Sequence, residues 1–242
     1  MIEPVRIAMW SGPRNISTAM MRAFENRADT AVVDEPFYAA FLALTGRDHP
    51  MREAVLAAQS TNPAQVAKAL LGPVPRGRAV FYQKHMTHHM LPGMDRSWMD
   101  GCDHAFLIRA PERVLASYVA KRTEVSLDEI GFVQQADLFE RVADRLGRAP
   151  PVLDAQDVRV DPKRALTALC SALGIAFDDA MLSWPPGPRA SDGVWAPAWY
   201  DSVERSSGFE PGFAEPVQLS PALQTIADAA GPHYERLKAF AL

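Results

Sequence analysis

Ser11-Gly12-Pro13-Arg14-Asn15-Ile16-Ser17-Thr18 is the stretch whose residue types and spacing most directly suggest chemistry. A short apolar run, Val5 to Trp10, leads into it, and an amphipathic pattern follows through Phe24 and Glu25, so the spacing predicts strand, tight loop, helix. The first N–H groups of a helix lack intrahelical partners and carry the positive end of its dipole, which suits a phosphate or sulfate. Arg14 adds a full charge and a bidentate fork, and Ser17 and Thr18 can donate hydroxyls. The nucleoside-triphosphate form of such a loop needs G-x-x-x-x-G-K-[ST]. Counting from Gly12, Ser17 and Thr18 occupy the Gly and Lys positions, which disfavours a kinase or ATPase.

Three further places carry candidate groups, each at the expected end of a strand. The β-branched run Thr30–Asp34 stops at Glu35-Pro36, because a residue before proline is pushed away from helix. Glu35 then lies at a carboxyl edge of the sheet, where open α/β folds bind ligands, and reads either as a general base or as a solvated turn residue. Residues 79–83 form the next strand and run into Lys84-His85. His85, His88 and His89 have the i, i+3, i+4 spacing of a metal site, but no carboxylate or cysteine is patterned beside them, and no metal is expected. Residues 103–108 lead into Arg109-Ala110-Pro111, with Ser117 two turns into the following helix. Arg109 and Ser117 can hold a second phosphate, distinct from the one at Arg14. In the tail, Trp195, Trp199 and Tyr200 are candidates to stack on a base, and Arg189 to reach a phosphate.

The elements that must position these groups follow from periodicity. Short helices are expected over 51–58 and 64–71, an amphipathic helix over 132–147, and a strand over 152–155. Another helix should begin at Asp161-Pro162, with Asp161 as N-cap, and end at Gly174. Apolar strands alternating with helices indicate one mostly parallel sheet flanked by helices. We therefore expect a single α/β domain over 1–242, with a helical insertion at about 45–78 and a structureless lid loop at about 184–213.

Composition narrows the class. The 242 residues are 48% hydrophobic and 22% charged, enough for one sizeable core, and a net charge of −4 leaves no electrostatic footprint for nucleic acid or a membrane surface. Two cysteines make no disulfide framework, and the start lacks a basic, then apolar, leader pattern. A soluble cytoplasmic protein acting on a small molecule is the expectation.

Taken together, these motifs resemble the sulfotransferases that use 3′-phosphoadenosine 5′-phosphosulfate (PAPS). The loop from Gly12 to Thr18 is similar to the family's 5′-phosphosulfate loop, and Arg109-Ala110-Pro111 with Ser117 to its 3′-phosphate motif. Glu35-Pro36 is similar to the Glu-Pro of carbohydrate-type and bacterial members, and the tail around Gly193, Val194 and Trp195 to the C-terminal cofactor loop. The resemblance implies a three-layer, P-loop NTPase-like fold. It implies sulfuryl transfer from PAPS to a hydroxyl or amine, with 3′,5′-ADP as product. Ser11 to Thr18, Arg109, Ser117, Gly193 and Trp195 would bind the cofactor; Glu35, Lys84 and His85 would be catalytic, with the base open between Glu35 and His85. The alternatives are a phosphotransferase or nucleotide hydrolase, or a non-catalytic nucleotide-binding protein, on the same fold.

Overall fold

The structure, a computed structural model, describes residues 3–122, 125–212 and 216–242. Five described strands form one parallel sheet: β1 (Val5–Ser11), β2 (Thr30–Asp34), β3 (Val80–Met86), β4 (Asp103–Ile108) and β5 (Val152–Asp154), in the order β2-β3-β1-β4-β5. The central strand β1 is buried on both faces. Ile7 and Met9 enter one cluster, and Ala8 and Trp10 the other, which is why its sequence reads as a continuous apolar run rather than an alternation.

Helices cover both faces. On one side, α1 (Ser17–Glu25) packs through Met20, Met21 and Phe24. On the sheet's other side, α4 (Pro63–Leu71) joins the Ala8–Trp10 cluster through Val66 and Leu70 and is started by Asn62, whose side chain accepts from the N–H groups of Ala64 and Gln65; α2 (Tyr38–Thr45) and α3 (Arg52–Ala58) form a third cluster with Trp195 and Tyr200. After β4 come α5 (Pro111–Val119), α6 (Leu127–Ile130) and α7 (Phe132–Leu146); Val114, Leu115, Phe139 and Val142 lie in the cluster that contains Trp10. After β5, α8 (Ala155–Val160) and α9 (Pro162–Ala172) return to the α1 side, where Leu166 and Leu169 join its cluster. Asp161 caps α9 as its sequence suggests, and Gly174, at φ 67, follows its end.

The tail differs from the expected structureless loop. It holds α10 (Ala196–Trp199) and α11 (Asp201–Arg205), with Pro197 in the first turn, where a missing N–H costs nothing. Burial of Trp195 and Tyr200 against Tyr38 and Leu42 anchors this segment. Phe213, the end of the expected lid, lies outside the described residues. A single long helix, α12 (Pro221–Lys238), closes the chain against α7 and α5. No helix among the described residues is long and apolar enough to cross a membrane.

Candidate active site

Beyond the carboxyl ends of β1, β2, β3 and β4 opens a cavity of about 410 Å³. Its first wall is the loop after β1. Arg14 and Ile16 both have left-handed backbones, φ 62 and 55, a curled arrangement that forms anion-binding concavities. No side chain caps the N-terminus of α1, so its first N–H groups stay available. Pro13 through Ala19 line the cavity, whereas Ser11 and Gly12 do not. Gly12 serves packing instead, since a Cβ there would sit 2.5 Å from the Ile130 carbonyl oxygen and only glycine allows the loop to lie this close to the end of α6. Asn15 turns inward, and its Nδ2 donates to Leu107 O at 3.2 Å, fixing the loop to β4.

The two anion sites read from the sequence as distinct are joined. Arg14 Nε donates to Ser117 Oγ at 2.9 Å, and Arg109 Nη1 donates to the Arg14 carbonyl at 2.6 Å. Neither guanidinium pairs with a carboxylate among the described residues. Burial pulls the pKa of both down, and for Arg109 the nearby charges of Arg159, Arg113 and Arg14 add to it, bringing it to about 10. Asp201 and Asp154 offset this in part for Arg14 and Arg109 respectively, but neither half-buried guanidinium forms an ion pair with a described carboxylate, which suits the pair to an anion.

The opposite wall is built on a register match. Asp34, the last residue of β2, pairs with Lys84 in β3, and Glu35 then turns through φ 40. In an extended strand adjacent side chains face opposite ways; the left-handed turn lets two consecutive carboxylates reach one ammonium. Lys84 Nζ donates to Asp34 Oδ1 at 2.8 Å, to Glu35 Oε1 at 2.5 Å and to Tyr200 Oη at 2.9 Å, using all three of its donors. Tyr200 Oη in turn donates to Asp34 Oδ2 at 2.6 Å and accepts from Trp195 Nε1 at 3.1 Å, and the Gly193 N–H also donates to Asp34 Oδ2. Burial pulls Lys84 down, but the Asp34 and Glu35 carboxylates outweigh it and hold the ammonium well above the usual lysine range. Glu35 is pushed up, by burial first and by the charge of Asp34, against the pull of Lys84.

His85 lies elsewhere. The sequence suggests that β3 ends at residue 83, but it runs to Met86, so alternation sends Lys84 and Met86 to the cavity and His85 to the opposite face. There its ring stacks on Trp10 at 4.6 Å and its Nε2 hydrogen-bonds Gln83 Oε1 at 3.2 Å. Burial lowers its pKa to about 3. His85 and His88 also share no helical face, since the chain is extended through Met86 and takes a 3₁₀ turn over Thr87–His89. Gly193 and Trp195 lie behind the cavity wall: a Cβ on Gly193 would overlap the Trp195 ring, and Trp195 is buried against Tyr38. Arg189 points away, donating to Pro185 O. The tail residues that do line the cavity are Trp199, Tyr200 and those around Val203 and Phe209. Tyr38, His49 and Arg159 also line it without standing in a pattern that sequence periodicity marks, as does Tyr118, whose spacing with Val114 and Leu115 marks only the apolar face of α5.

Fold and site together define a parallel α/β protein with a phosphate-type loop at the head of its first helix. The chain belongs to the sulfotransferase family: a family model described as a sulfotransferase domain matches residues 5–241. It is 40% identical over 210 residues to branched-chain-amino-acid aminotransferase-like protein 1 of Arabidopsis thaliana, a match covering 86% of this chain but only 37% of that relative's length. A sulfotransferase from Alicyclobacillus acidocaldarius superposes with a TM-score of 0.58 at 14% identity, covering 99% of this chain and 96% of its own. The mouse sulfotransferase SULT7A1 complexed with PAP gives a TM-score of 0.58 at 11% identity, over 98% of this chain and 86% of the mouse one. At such identities these structures share the fold.

Proposed function

We propose that this protein transfers a sulfuryl group from PAPS to a hydroxyl or amine of a small-molecule acceptor. The observation that carries the reading is the pairing, on one cavity, of Arg14 and Arg109, neither in an ion pair with a described carboxylate, with a buried, raised-pKa glutamate. Arg14, Ser17, Thr18 and the first N–H groups of α1 fit a 5′-phosphosulfate. Arg109 and Ser117 fit a 3′-phosphate, and Trp199 lies where a base can stack. When bound, PAPS supplies the activated sulfuryl group and leaves as 3′,5′-ADP, taking the electron pair of the broken S–O bond.

The protein's own part is proton transfer and charge placement. Glu35 accepts the proton as the acceptor oxygen forms its bond to sulfur; a well-placed base contributes about 10²–10⁴-fold. Arg14 faces the charge that builds on the departing phosphate oxygen, and a fixed cation there needs no reorganisation. Lys84 holds Glu35 in place and compensates the Asp34–Glu35 pair. His85, stacked on Trp10 on the far side of the sheet, takes no part. The tail from 184 to 212 would act as a lid over the donor.

Calorimetric titration with 3′,5′-ADP, alongside 5′-AMP and Mg-ATP, tests the donor. Micromolar binding that requires the 3′-phosphate is expected, and Arg109→Ala should weaken it by about tenfold or more, the value of one charge-assisted bond. Binding of Mg-ATP without binding of 3′,5′-ADP would replace this reading with a phosphotransferase.

A further inference from the structure

Glu35 opens onto a part of the cavity that the donor groups do not explain. The chain turns from Glu35 directly into α2, with the Tyr38 N–H donating to the Glu35 carbonyl at 3.0 Å, and from there a wall is formed by Tyr38, His49, His88, His89, Met86 and Tyr118. The rings are fixed by one another: Tyr38 stacks on His89 at 4.6 Å, and His88 meets His89 edge-on at 4.4 Å. Three imidazoles side by side in one wall, each more than nine-tenths buried, are a costly arrangement unless something uses them.

Their hydrogen-bonding capacity is largely unspent. His49 uses Nδ1, which meets Tyr38 Oη at 3.0 Å, while its Nε2 is buried without a partner. The Nδ1 atoms of His88 and His89 are likewise buried and unpartnered, and neither ring makes a hydrogen bond to any described residue. Buried polar atoms in native proteins are nearly always paired; here those three nitrogens are sealed inside the wall, and the Nε2 atoms of His88 and His89, equally without a partner, are the ones a ligand in the cavity can reach.

The geometry points to an acceptor subsite here for an uncharged compound carrying several hydroxyl groups, sulfated on one of them rather than on an amine. The inference rests on the donor reading above. A neutral imidazole offers one donor and one acceptor, and a hydroxyl can answer either, whichever tautomer each ring adopts. An ammonium cannot, since it has no acceptor to give, and the charges that act on this wall are mixed, Arg47 and Arg122 against Glu129 and Asp48, so they supply no anion for it. A carboxylate would offer acceptors only and would lie beside Glu35 and Asp34. Burial keeps these rings neutral, with His49 lowered to about 4 and His88 to about 3.

Three acceptors of one ring shape and different charge separate the possibilities: methyl β-glucoside, glucosamine and glucuronate. Each is incubated with the full-length protein and sulfur-labelled PAPS, with myo-inositol as a second neutral probe, and 3′,5′-ADP affinity is measured in parallel. A neutral probe should be sulfated with a kcat/KM at least about tenfold above those of the amine and the acid, the discrimination expected when buried polar groups are left unpaired. His49→Leu and His88→Leu should raise its KM by about tenfold while leaving 3′,5′-ADP affinity unchanged, and His49→Gln should restore part of the loss. Thermal melts identify any variant that does not fold, and the charge panel on the unaltered protein does not depend on them. Preference for glucosamine or glucuronate, an unaltered KM in the leucine variants, or no turnover of either neutral probe by protein that binds 3′,5′-ADP overturns the inference and leaves the donor reading standing. Failure to bind 3′,5′-ADP overturns both.

Discussion

Glu35 combines a strained backbone, a cation at 2.5 Å and a second carboxylate next in sequence, and each has a consequence for proton transfer. A glutamate at φ 40 is uncommon, and such strain costs on the order of 1–3 kcal/mol unless the surroundings enforce it. The Glu35 N–H donating to Lys84 O and the Gln59 side chain donating to the Glu35 carbonyl do so. Because burial and Asp34 raise its pKa, Glu35 gains its proton at a higher pH than an ordinary glutamate. In the proposed role as base Glu35 works only without that proton, so kcat/KM should fall on the acid side through a limb above the normal glutamate range. Glu35→Gln should abolish the limb and lower kcat by about 10²–10⁴-fold with donor affinity retained. A pH–rate profile with the same acid limb in the variant would assign the proton to another group. Residue types alone mark Glu35 and Arg14 for attention. Asp34 and Tyr200, which complete the Lys84 network, are legible only once β2 lies against β3 and the tail folds back over them.

At the level of elements, strands β2 and β4 fall where their apolar patterns end, and α4, α6, α8, α9 and α12 start at residues whose side chains cap them. The exception is β3, whose sequence is buried on both faces and therefore carries no alternation to mark its end. That one ambiguity decides which of Lys84 and His85 faces the cavity, because side chains on a strand change face at every residue. The loop after β1 shows the other limit of local reading. Gly12 looks like a ligand-contacting glycine, yet its constraint is the Ile130 carbonyl, a residue more than a hundred positions away. Gly12→Ala should therefore act through packing: urea unfolding should show a loss of about 1–3 kcal/mol, as for other overpacked sites, with the denaturant slope unchanged. A variant as stable as the parent would mean that α6 gives way freely.

Across the whole molecule, buried histidines set the response to acid. His85 and His88 are lowered to about 3, His49 and His104 to about 4, and His89 lies well below its ordinary value; burial is the leading cause in each. Unfolded, these rings take up protons below about pH 6.5; folded, they do not until far lower. The unfolded state therefore binds more protons in that window, and stability is full above about pH 6.5 and declines as the pH falls toward 4. Each ring contributes up to about 1.4 kcal/mol per pH unit. Glu35, raised in the folded state, works in the opposite sense but is outnumbered. Unfolding midpoints should hold level from about pH 7.5 to 6.5 and drop steadily from there toward pH 4; a flat series throughout would show that the rings are hydrated. None of this follows from a histidine count, since burial of five rings is a property of the assembled core.

The hydrogen bonds that end on Asp34 have a consequence for how far the chain can be cut or rearranged. Gly193 and Tyr200 reach Asp34 from a segment about 160 residues later, so a single ammonium, two carboxylates and a phenol drawn from the first and last parts of the sequence form one hydrogen-bonded unit. Shortening the tail to before Gly193 would remove more than a cover over the cavity. It would strip two donors from a buried carboxylate and leave Lys84 short of its third acceptor. The wall around Glu35 is thus indivisible in sequence. A new chain terminus or an inserted tag belongs on the exposed turns far from Asp34, such as the one at Gly147, rather than between Gly193 and Tyr200.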